Sequence, residues 1–463
     1  MFEVMNTDGF TSTRILLQSA AERAIRYLEG LPSRRVAPEP RALARLPELD
    51  TAVPEAPADA QEALELLDSV VSPATMATAG PRYFGFVIGG SLPAALAANW
   101  LAGAWDQNSA LHNIAQATAM LEAISLRWIL DLLGLPPASA GAFVTGATMA
   151  NLTALAAARN AVLKKAGWNV EAQGLFGAPP ISVIVGEEAH PTLFKSLGLL
   201  GLGRSRLTRV PVDGQGRMRP SALPRLSGPT ILCTQAGNVN TGAFDPIGEI
   251  CSRARGDNVW VHVDGAFGLW AAAAPARAHL TAGMQQADSW ATDAHKWLNV
   301  PYDSGLALVK DAEALKASMA ITAEYLPTDS PYRNPSDFTP ELSRRARGVE
   351  IWAALRSLGR SGLADLVERT CRCAARFAEG LASAGHQVLN QVVLNQVLVS
   401  FGTPQTTRKV IAALQEEGTC WCGETVWQGQ PAMRISVSSW ATTEIDVERS
   451  LEAMIRIAAS GAR

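Results

Sequence analysis

The chain has 463 residues, of which 48% are hydrophobic and 18% charged, with a formal net charge of −3. This composition is typical of a globular enzyme, and the charge gives no electrostatic basis for binding nucleic acid or an anionic membrane. The length suggests about three domains. Residues 1–30 carry Glu3, Asp8, Arg14 and Glu22 without an apolar segment. We therefore expect no secretory signal and a cytoplasmic protein.

The six cysteines include two Cys-x-Cys pairs, Cys371 with Cys373 and Cys420 with Cys422. This spacing differs from the Cys-x-x-Cys of common zinc sites, and few histidines lie nearby. We expect reduced thiols and no metal site.

Residues 1–79 are predicted to form a helical arm, with a Pro/Arg-rich connector over 32–40 and a second helix over Gln61–Val71. From about 80 to 310, short apolar runs alternate with helical segments such as Met149–Lys165. This alternation predicts an α/β domain with a mostly parallel, buried sheet. The predicted strands are Ala142–Thr145, Ile181–Val185, Leu207–Val210, Thr230–Thr234, Val259–Asp264, Ser289–Thr292 and Gly305–Val309.

The segment 311–345 is rich in proline and is predicted to be an irregular loop of the kind that often forms a lid. A helix over Ala346–Leu358 follows it. The pattern then becomes helix, strand, helix, strand, helix, with strands over Val392–Phe401 and Met433–Ser438. We therefore predict three units: an arm over 1–79, a large domain over 80–360 and a small C-terminal α/β domain over 361–463.

Polar residues fall at or just after the ends of several predicted strands, namely Thr145, His190, Asp264 and Lys296. In parallel sheets the binding crevice lies at the carboxyl ends of the strands. A buried Lys and a buried Asp are costly unless they have partners. Pyridoxal phosphate (PLP) needs both, because an amine forms its Schiff base and an anion faces its protonated ring nitrogen.

Gly146, Ala147 and Thr148 lie between a strand and a helix, where small residues expose backbone N–H groups to an anion. They are candidates for a phosphate cradle, and a simple helix N-cap is the alternative interpretation.

Several segments in the same order resemble the group II PLP-dependent amino-acid decarboxylases, the relatives of aromatic-L-amino-acid and glutamate decarboxylases. These segments are Gly85–Ala94, Thr145–Leu152, Glu188–His190, Asp264–Ala266, Asp293–Trp297 and Ser343–Arg347. They span about residues 80 to 360, and Met149 stands where the family commonly has an acid. The resemblance implies fold type I of the PLP-dependent transferases, with a mostly parallel seven-stranded sheet, and a homodimer whose active site lies at the interface.

The resemblance also implies roles for single residues. Lys296 would bind PLP covalently, Asp264 would face the ring nitrogen, and His190 would stack on the ring opposite Ala266. Asp293 and His295 match cofactor-side and phosphate-side positions of the family.

Three further assignments leave alternatives open. Asn238 follows a strand and is predicted to reach the edge of the cofactor, although a turn-forming Asn fits equally well. In the family a loop tyrosine returns a proton to the substrate carbon. Tyr332 is the candidate here; Tyr325 lies earlier, and Phe338 has no proton to give. Arg434 could pair with a substrate carboxylate, or it could be a surface residue at a strand edge.

We predict a lyase that decarboxylates an L-amino acid to an amine and carbon dioxide. An aldehyde synthase, an aldolase or another carbon–carbon lyase on the same scaffold is the alternative, and a cofactor-free scaffold is a third hypothesis. The apolar character of Phe84, Phe86, Ile88 and Trp105 favours an aromatic substrate.

Overall fold

The computed structural model describes residues 7–256, 258–321 and 332–461, with side chains described from 12 to 460. Tyr325 lies outside the described residues.

A seven-stranded sheet forms the centre of the large domain, in the order β1-β7-β6-β5-β4-β2-β3. Strand β7 runs antiparallel to both of its neighbours, and the other strands run parallel to one another. The mostly parallel seven-stranded sheet predicted from the sequence is confirmed. Its strands are β1 (Ala140–Val144), β2 (Ser182–Gly186), β3 (Thr208–Val210), β4 (Thr230–Gln235), β5 (Val259–Asp264), β6 (Ser289–Asp293) and β7 (Gly305–Val309).

Helices cover both faces of this sheet, and an apolar core fills the space on each side. In chain order the α-helices are α1 (Thr7–Gly30), α2 (Pro40–Leu43), α3 (Ala60–Leu66), α4 (Ser72–Ala74), α5 (Pro93–Trp105), α6 (Gln116–Leu132), α7 (Ala147–Lys165), α8 (Val170–Gln173), α9 (Pro191–Leu199), α10 (Ile247–Arg253), α11 (Ala312–Met319), α12 (Gly348–Ser383), α13 (Pro404–Glu417) and α14 (Glu444–Gly461). The predicted helix Gln61–Val71 consists of α3 and a π-helical turn, Leu67–Val71.

Helix α7 packs directly on the sheet, because its buried face is made of small residues. Ala150, Ala154, Ala157 and Ala158 are fully buried. Alanine has the highest helix propensity and adds little bulk, so the helix can form and approach the strands closely. This close packing places the beginning of α7 beside the ends of β1, β6 and β7.

A second sheet of four antiparallel strands, in the order β10-β11-β9-β8, forms the C-terminal region. Its strands are β8 (Gln387–Val388), β9 (Gln396–Ser400), β10 (Gly423–Trp427) and β11 (Gln430–Ser436). Helix α12 leads into this region across a kink at Gly359, whose φ of 61° suits glycine. The kink lies next to the predicted boundary at 360, and the three predicted domain limits stay predictions.

Segment 332–347 is anchored to the large domain through Glu122, which is fully buried. The Glu122 carboxylate accepts hydrogen bonds from Arg333 at 2.8 Å and from Arg344 at 2.7 Å, and both arginines belong to this segment. Within the described ranges, no helix is both long enough and apolar enough to cross a lipid bilayer.

Candidate active site

Strand ends of the large sheet surround a cavity of about 260 Å³. Asp264 is the last residue of β5, Gln235 is the last residue of β4, and Lys296 lies three residues after β6. The cavity is lined by Phe86, Val87, Ile88, His190, Gln235, Gly237, Val239, Asp264, Ala266, Phe267, Lys296, Tyr302 and Arg434. The structure therefore brings together four of the residues proposed from the sequence: Lys296, Asp264, His190 and Ala266.

Asp264 is a buried carboxylate at the base of this cavity. Its Oδ2 accepts a hydrogen bond from Asn151 Nδ2 at 3.1 Å, and its Oδ1 accepts one from the backbone N–H of Ala266 at 3.3 Å. Burial raises the pKa of the Asp264 carboxyl, while nearby His190 and Lys296 and the Asn151 hydrogen bond act in the opposite direction. A cationic partner in the cavity would therefore stabilise the ionised form.

Lys296 lies on the wall of the cavity and forms an ion pair with Asp293, with Nζ 3.0 Å from Oδ2. The other carboxylate oxygen of Asp293 accepts a hydrogen bond of 2.5 Å from the backbone N–H of Ala147, the first residue of α7. Asp293 thus connects the lysine to the beginning of the helix, where the helix dipole favours negative charge.

His190 is the N-cap residue of helix α9, and its ring is held by Thr192, two positions later. The backbone N–H of Thr192 donates to His190 Nδ1 at 3.3 Å, and the Thr192 hydroxyl lies 2.7 Å from the same nitrogen. Burial lowers the pKa of His190, which favours the neutral ring. Because Nδ1 accepts, the ring proton belongs on Nε2.

The predicted phosphate cradle lies where α7 meets β7. A Cβ atom on Gly146 would lie 3.1 Å from His295 Cε1 and 3.3 Å from Asp293 Oδ1. A Cβ on Gly305 would lie only 2.5 Å from Gly146 Cα. Thr148, one residue into the helix, is half-buried. The turn is therefore tightly enclosed and has space for glycine but not for a larger residue.

One wall of the cavity is aromatic. The ring of Phe86 stacks on Trp421 at a centroid distance of 5.8 Å, and Tyr83 stacks on Trp421 at 5.2 Å. Phe86 and Val87 have positive φ angles of 55° and 99°, which are strained conformations for these residue types. Such strain often accompanies functional sites.

Arg434, on strand β11, provides a cation at this cavity. Its guanidinium donates to the backbone carbonyl of Val239 at 3.2 Å, and its buried Nε has no hydrogen-bond partner in the described parts of the chain. Burial lowers the pKa of Arg434, but a guanidinium remains charged in proteins. Arg434 can therefore receive an anionic group that enters the cavity.

The model of the pyridoxal-dependent decarboxylase conserved domain matches residues 40–403, most of the chain. The chain belongs to the pyridoxal-dependent decarboxylase family. Its cofactor is PLP, and it is a carboxy-lyase that decarboxylates an amino acid.

Curated relatives of this decarboxylase act on different substrates. The chain is 27% identical to the aromatic-L-amino-acid decarboxylase of Bacillus atrophaeus, over 73% of this chain and 70% of that protein. It is 30% identical to the L-2,4-diaminobutyrate decarboxylase of Rhizobium meliloti, over 78% and 74%. The crystal structure of Oryza sativa TDC with PLP and tryptamine has a TM-score of 0.90 and 23% identity, and covers 99% of each chain. This structural similarity shows the fold.

The residues of the decarboxylase cavity fit PLP. Lys296 forms an ion pair with Asp293. Among the described residues, Asp264 forms no ion pair with a side chain. A buried carboxylate in this state suits a protonated ring nitrogen. Lys296 offers the amine, and the turn at Gly146 with the start of α7 offers backbone N–H groups for a phosphate.

Asn238 and Tyr332, predicted from the sequence to reach the cofactor and the substrate, are among the predicted residues outside the lining of the decarboxylase cavity. The Oδ1 of Asn238 accepts from the backbone N–H groups of Asn240 and Thr241, so the residue forms a turn, and its neighbours Gly237 and Val239 line the cavity instead. The ring of Tyr332 stacks on His112 at 4.1 Å and is 56% exposed. The roles proposed for both residues stay predictions.

The structure also adds residues to the site that sequence reasoning did not single out. Tyr302 lines the cavity, stacks on His295 at 4.2 Å, and burial raises its pKa to about 12. Gln235 lines the cavity. Asn151 donates a hydrogen bond to Asp264. The sequence around these three residues has no distinctive local pattern that would predict a role in the site. Asn151 does fall inside the segment that resembles the family.

Proposed function

We propose that this decarboxylase acts on aromatic L-amino acids. The observation that carries the proposal is the apolar lining of the cavity beside Lys296. Its walls include Phe86, Val87, Ile88, Val239 and Phe267. A planar aromatic side chain can stack on such walls and bury a large apolar area. The aromatic specificity in the name of the Bacillus atrophaeus relative supports the same class.

The charged residues of the cavity favour aromatic substrates over acidic amino acids and over diamino acids. Arg434 is the one guanidinium among the described lining residues, and it can neutralise a single carboxylate. An acidic amino acid brings two carboxylates, so a second cation would be needed. A diamino acid brings a side-chain ammonium, and Asp264, the one carboxylate of the described lining, is assigned to the cofactor. Burying either extra charge unpaired would be costly.

We assign the α-carboxylate of the substrate to Arg434. The free Nε of this buried guanidinium can donate to the incoming carboxylate, and guanidinium–carboxylate pairs are often bidentate. A fixed carboxylate determines which bond of the α-carbon is broken. His190, neutral and with its proton on Nε2, can donate a further hydrogen bond from the cofactor face of the cavity.

PLP, when bound, supplies an electron sink for the electron pair left by departing carbon dioxide. Asp264 keeps a negative charge beside the ring nitrogen, and Lys296 provides the amine that holds the cofactor and is regenerated when product leaves. A proton donor must then return a proton to the substrate carbon. We propose Tyr332 for this step, acting in the site of the other subunit of a homodimer.

Exposed apolar residues support the homodimer. Trp100, Leu101 and Trp105 on α5 are 42%, 55% and 46% exposed, and Phe86 at the cavity mouth is 60% exposed. Such clustering is typical of an interaction surface. A second copy placed there would cover the opening of the cavity.

The substrate is tested with the PLP-loaded enzyme and a panel of L-tryptophan, L-tyrosine, L-phenylalanine, L-glutamate and L-2,4-diaminobutyrate. We expect the corresponding amine and carbon dioxide in equal amounts from an aromatic member. Turnover of L-glutamate or the diamino acid alone would refute the proposed class. An aldehyde product would support the aldehyde synthase alternative.

Two variants sharpen this test. Phe86→Ala is expected to raise KM for the aromatic substrate, because it removes a stacking wall; Phe176→Ala, at a residue that is 98% exposed and does not line the cavity, is the matched control. Arg434→Lys is expected to lower kcat/KM by about tenfold or more, because it loses bidentate geometry. Equal kinetics in Arg434→Lys and the wild type would refute the carboxylate assignment.

The role of Tyr332 is tested by mixing defects between subunits. Lys296→Ala and Tyr332→Phe are each expected to remove decarboxylase activity when present in both subunits of a dimer. A mixed dimer has one site with both defects and one site with neither if Tyr332 acts across the interface. Recovered activity in mixed dimers is therefore expected. Its absence, with dimers shown by light scattering, would refute action in trans.

We also propose a cytoplasmic location for the enzyme. All six cysteines are buried and unpaired, which suits a reducing compartment. Cell fractionation tests this proposal, and recovery of the enzyme in a secreted fraction would refute it.

A further inference from the structure

Four side chains behind Asp264 form one continuous line of hydrogen bonds. Trp260 Nε1 lies 2.8 Å from Ser289 Oγ, which lies 2.8 Å from His262 Nδ1. His262 Nε2 lies 2.8 Å from Asn151 Oδ1, and Asn151 Nδ2 lies 3.1 Å from Asp264 Oδ2. Asn151, His262 and Ser289 are fully buried, and Trp260 is 6% exposed. We call these four residues the Asp264 chain.

The direction of the hydrogen bonds follows from the two ends of the Asp264 chain. The indole N–H of Trp260 can only donate, and an ionised Asp264 can only accept. A single arrangement satisfies both ends. The Ser289 hydroxyl accepts from the indole and donates to His262, and the Nε2–H of His262 donates to the Asn151 carbonyl.

The Asp264 chain depends on a neutral His262. Protonated His262 would carry hydrogens on both ring nitrogens, so Ser289 could no longer donate to Nδ1. Burial lowers the pKa of His262 to about 3, and the ring therefore remains neutral at physiological pH. The amide of Asn151 is then held with its Nδ2 toward Asp264.

We propose that the Asp264 chain positions the Asp264 carboxylate and keeps it ionised against the ring nitrogen of bound PLP. Asn151 is the positioning residue that touches the carboxylate, and Trp260 sets the direction from the far end. The inference rests on PLP dependence and is independent of which amino acid is the substrate.

The hydrogen bonds of the Asp264 chain would also stabilise the fold if they had no effect on the cofactor. The test must therefore measure a property of the bound cofactor. PLP labelled with nitrogen-15 in the ring reports by NMR whether that nitrogen is protonated. The experiment uses the PLP-loaded full chain across a pH series, with the cofactor dissociation constant measured in parallel. Neither measurement requires turnover.

Asn151→Leu removes the donor to Asp264 and keeps the number and branching of the side-chain heavy atoms. The ring nitrogen is expected to lose its proton about one pH unit lower, and PLP is expected to bind about tenfold more weakly, as for a lost hydrogen bond to a charged group. Trp260→Phe is expected to shift both quantities in the same direction by a smaller factor, although it lies four hydrogen bonds from Asp264.

Thr153→Val is the matched control. Thr153 is also fully buried on α7, and its hydroxyl has no hydrogen-bond partner in the described structure. This variant is expected to keep the wild-type ring-nitrogen signal. If folded Asn151→Leu keeps that signal, or if Thr153→Val shifts it equally, the proposal is overturned. If Asn151→Leu does not fold, Trp260→Phe decides, and an unshifted signal there overturns the proposal.

Discussion

The neutrality of buried His262 makes a prediction about the pH dependence of stability. Burial lowers the pKa of His262 from 6.5 to about 3, so the unfolded chain binds a proton in this interval and the folded chain does not. The free energy of unfolding therefore falls as pH falls from 6.5 toward 3. The free energy of unfolding is expected to fall by about 1.4 kcal/mol for each pH unit, or by about 5 kcal/mol between pH 6.5 and pH 3.

His262→Gln is the perturbation, because glutamine cannot titrate but can still donate and accept hydrogen bonds. The variant is expected to be less stable near neutral pH and to lose stability less steeply on acidification. The measurement is urea-induced unfolding of the PLP-loaded enzyme, followed by tryptophan fluorescence at intervals from about pH 4 to about pH 7. The difference between the two slopes should approach about 1.4 kcal/mol per pH unit.

Other titrating groups are common to both proteins, so they cancel in the comparison of slopes. Thr153→Val changes a neighbouring buried side chain without removing a titrating group or a hydrogen bond, and it should keep the wild-type slope. If the free energy of unfolding depends on pH with the same slope in His262→Gln and in the wild type, His262 does not resist protonation in the folded state. That result would refute the reasoning.

Two further predictions concern a tightly packed glycine and a buried ion-pair network. Gly89→Ala should sharply reduce the yield of folded, PLP-binding protein, because its Cβ would lie 1.9 Å from the backbone oxygen of Lys296. Gly214→Ala, with no atom within 4 Å of the new Cβ, is the control and should behave as the wild type. Normal yield in both would contradict this packing. Glu122→Ala should lower the free energy of unfolding by about 3–5 kcal/mol, because it leaves two buried or half-buried guanidinium groups without their counter-charge. Denaturant unfolding checks the value, and Glu171→Ala, in a more exposed ion pair, should cost about 1 kcal/mol or less.

The central sheet could be predicted well from the sequence, because buried parallel strands are short apolar runs with clear ends. All seven predicted strands are present, and Val259–Asp264 and Gly305–Val309 have the predicted bounds. The same physics places polar residues at the strand ends, so Lys296, Asp264 and His190 could be grouped from their positions in the sequence alone.

The parts that escaped prediction depend on contacts between distant segments. Strand β10, with alternating exposed and buried residues, and the two-residue β8 have weak local patterns. The sequence leaves the environment of Arg434 open, because only the packing of β11 against the large domain decides whether its side chain meets solvent or the cavity. Asn151 lies on an alanine-rich helix, where the sequence gives no sign of its hydrogen bond to Asp264.

The close approach of Gly146 and Gly305 has a consequence for engineering. A side chain on Gly305 would need the space that the backbone of Gly146 occupies, and a side chain on Gly146 would press on His295 and Asp293. Neither glycine can therefore be varied in a library without displacing the backbone or the side chains of His295 and Asp293. Phe86 stands at the mouth of the cavity and is mostly exposed. Selection for new substrates should therefore succeed at the aromatic wall, whereas the turn at Gly146 and Gly305 should stay invariant.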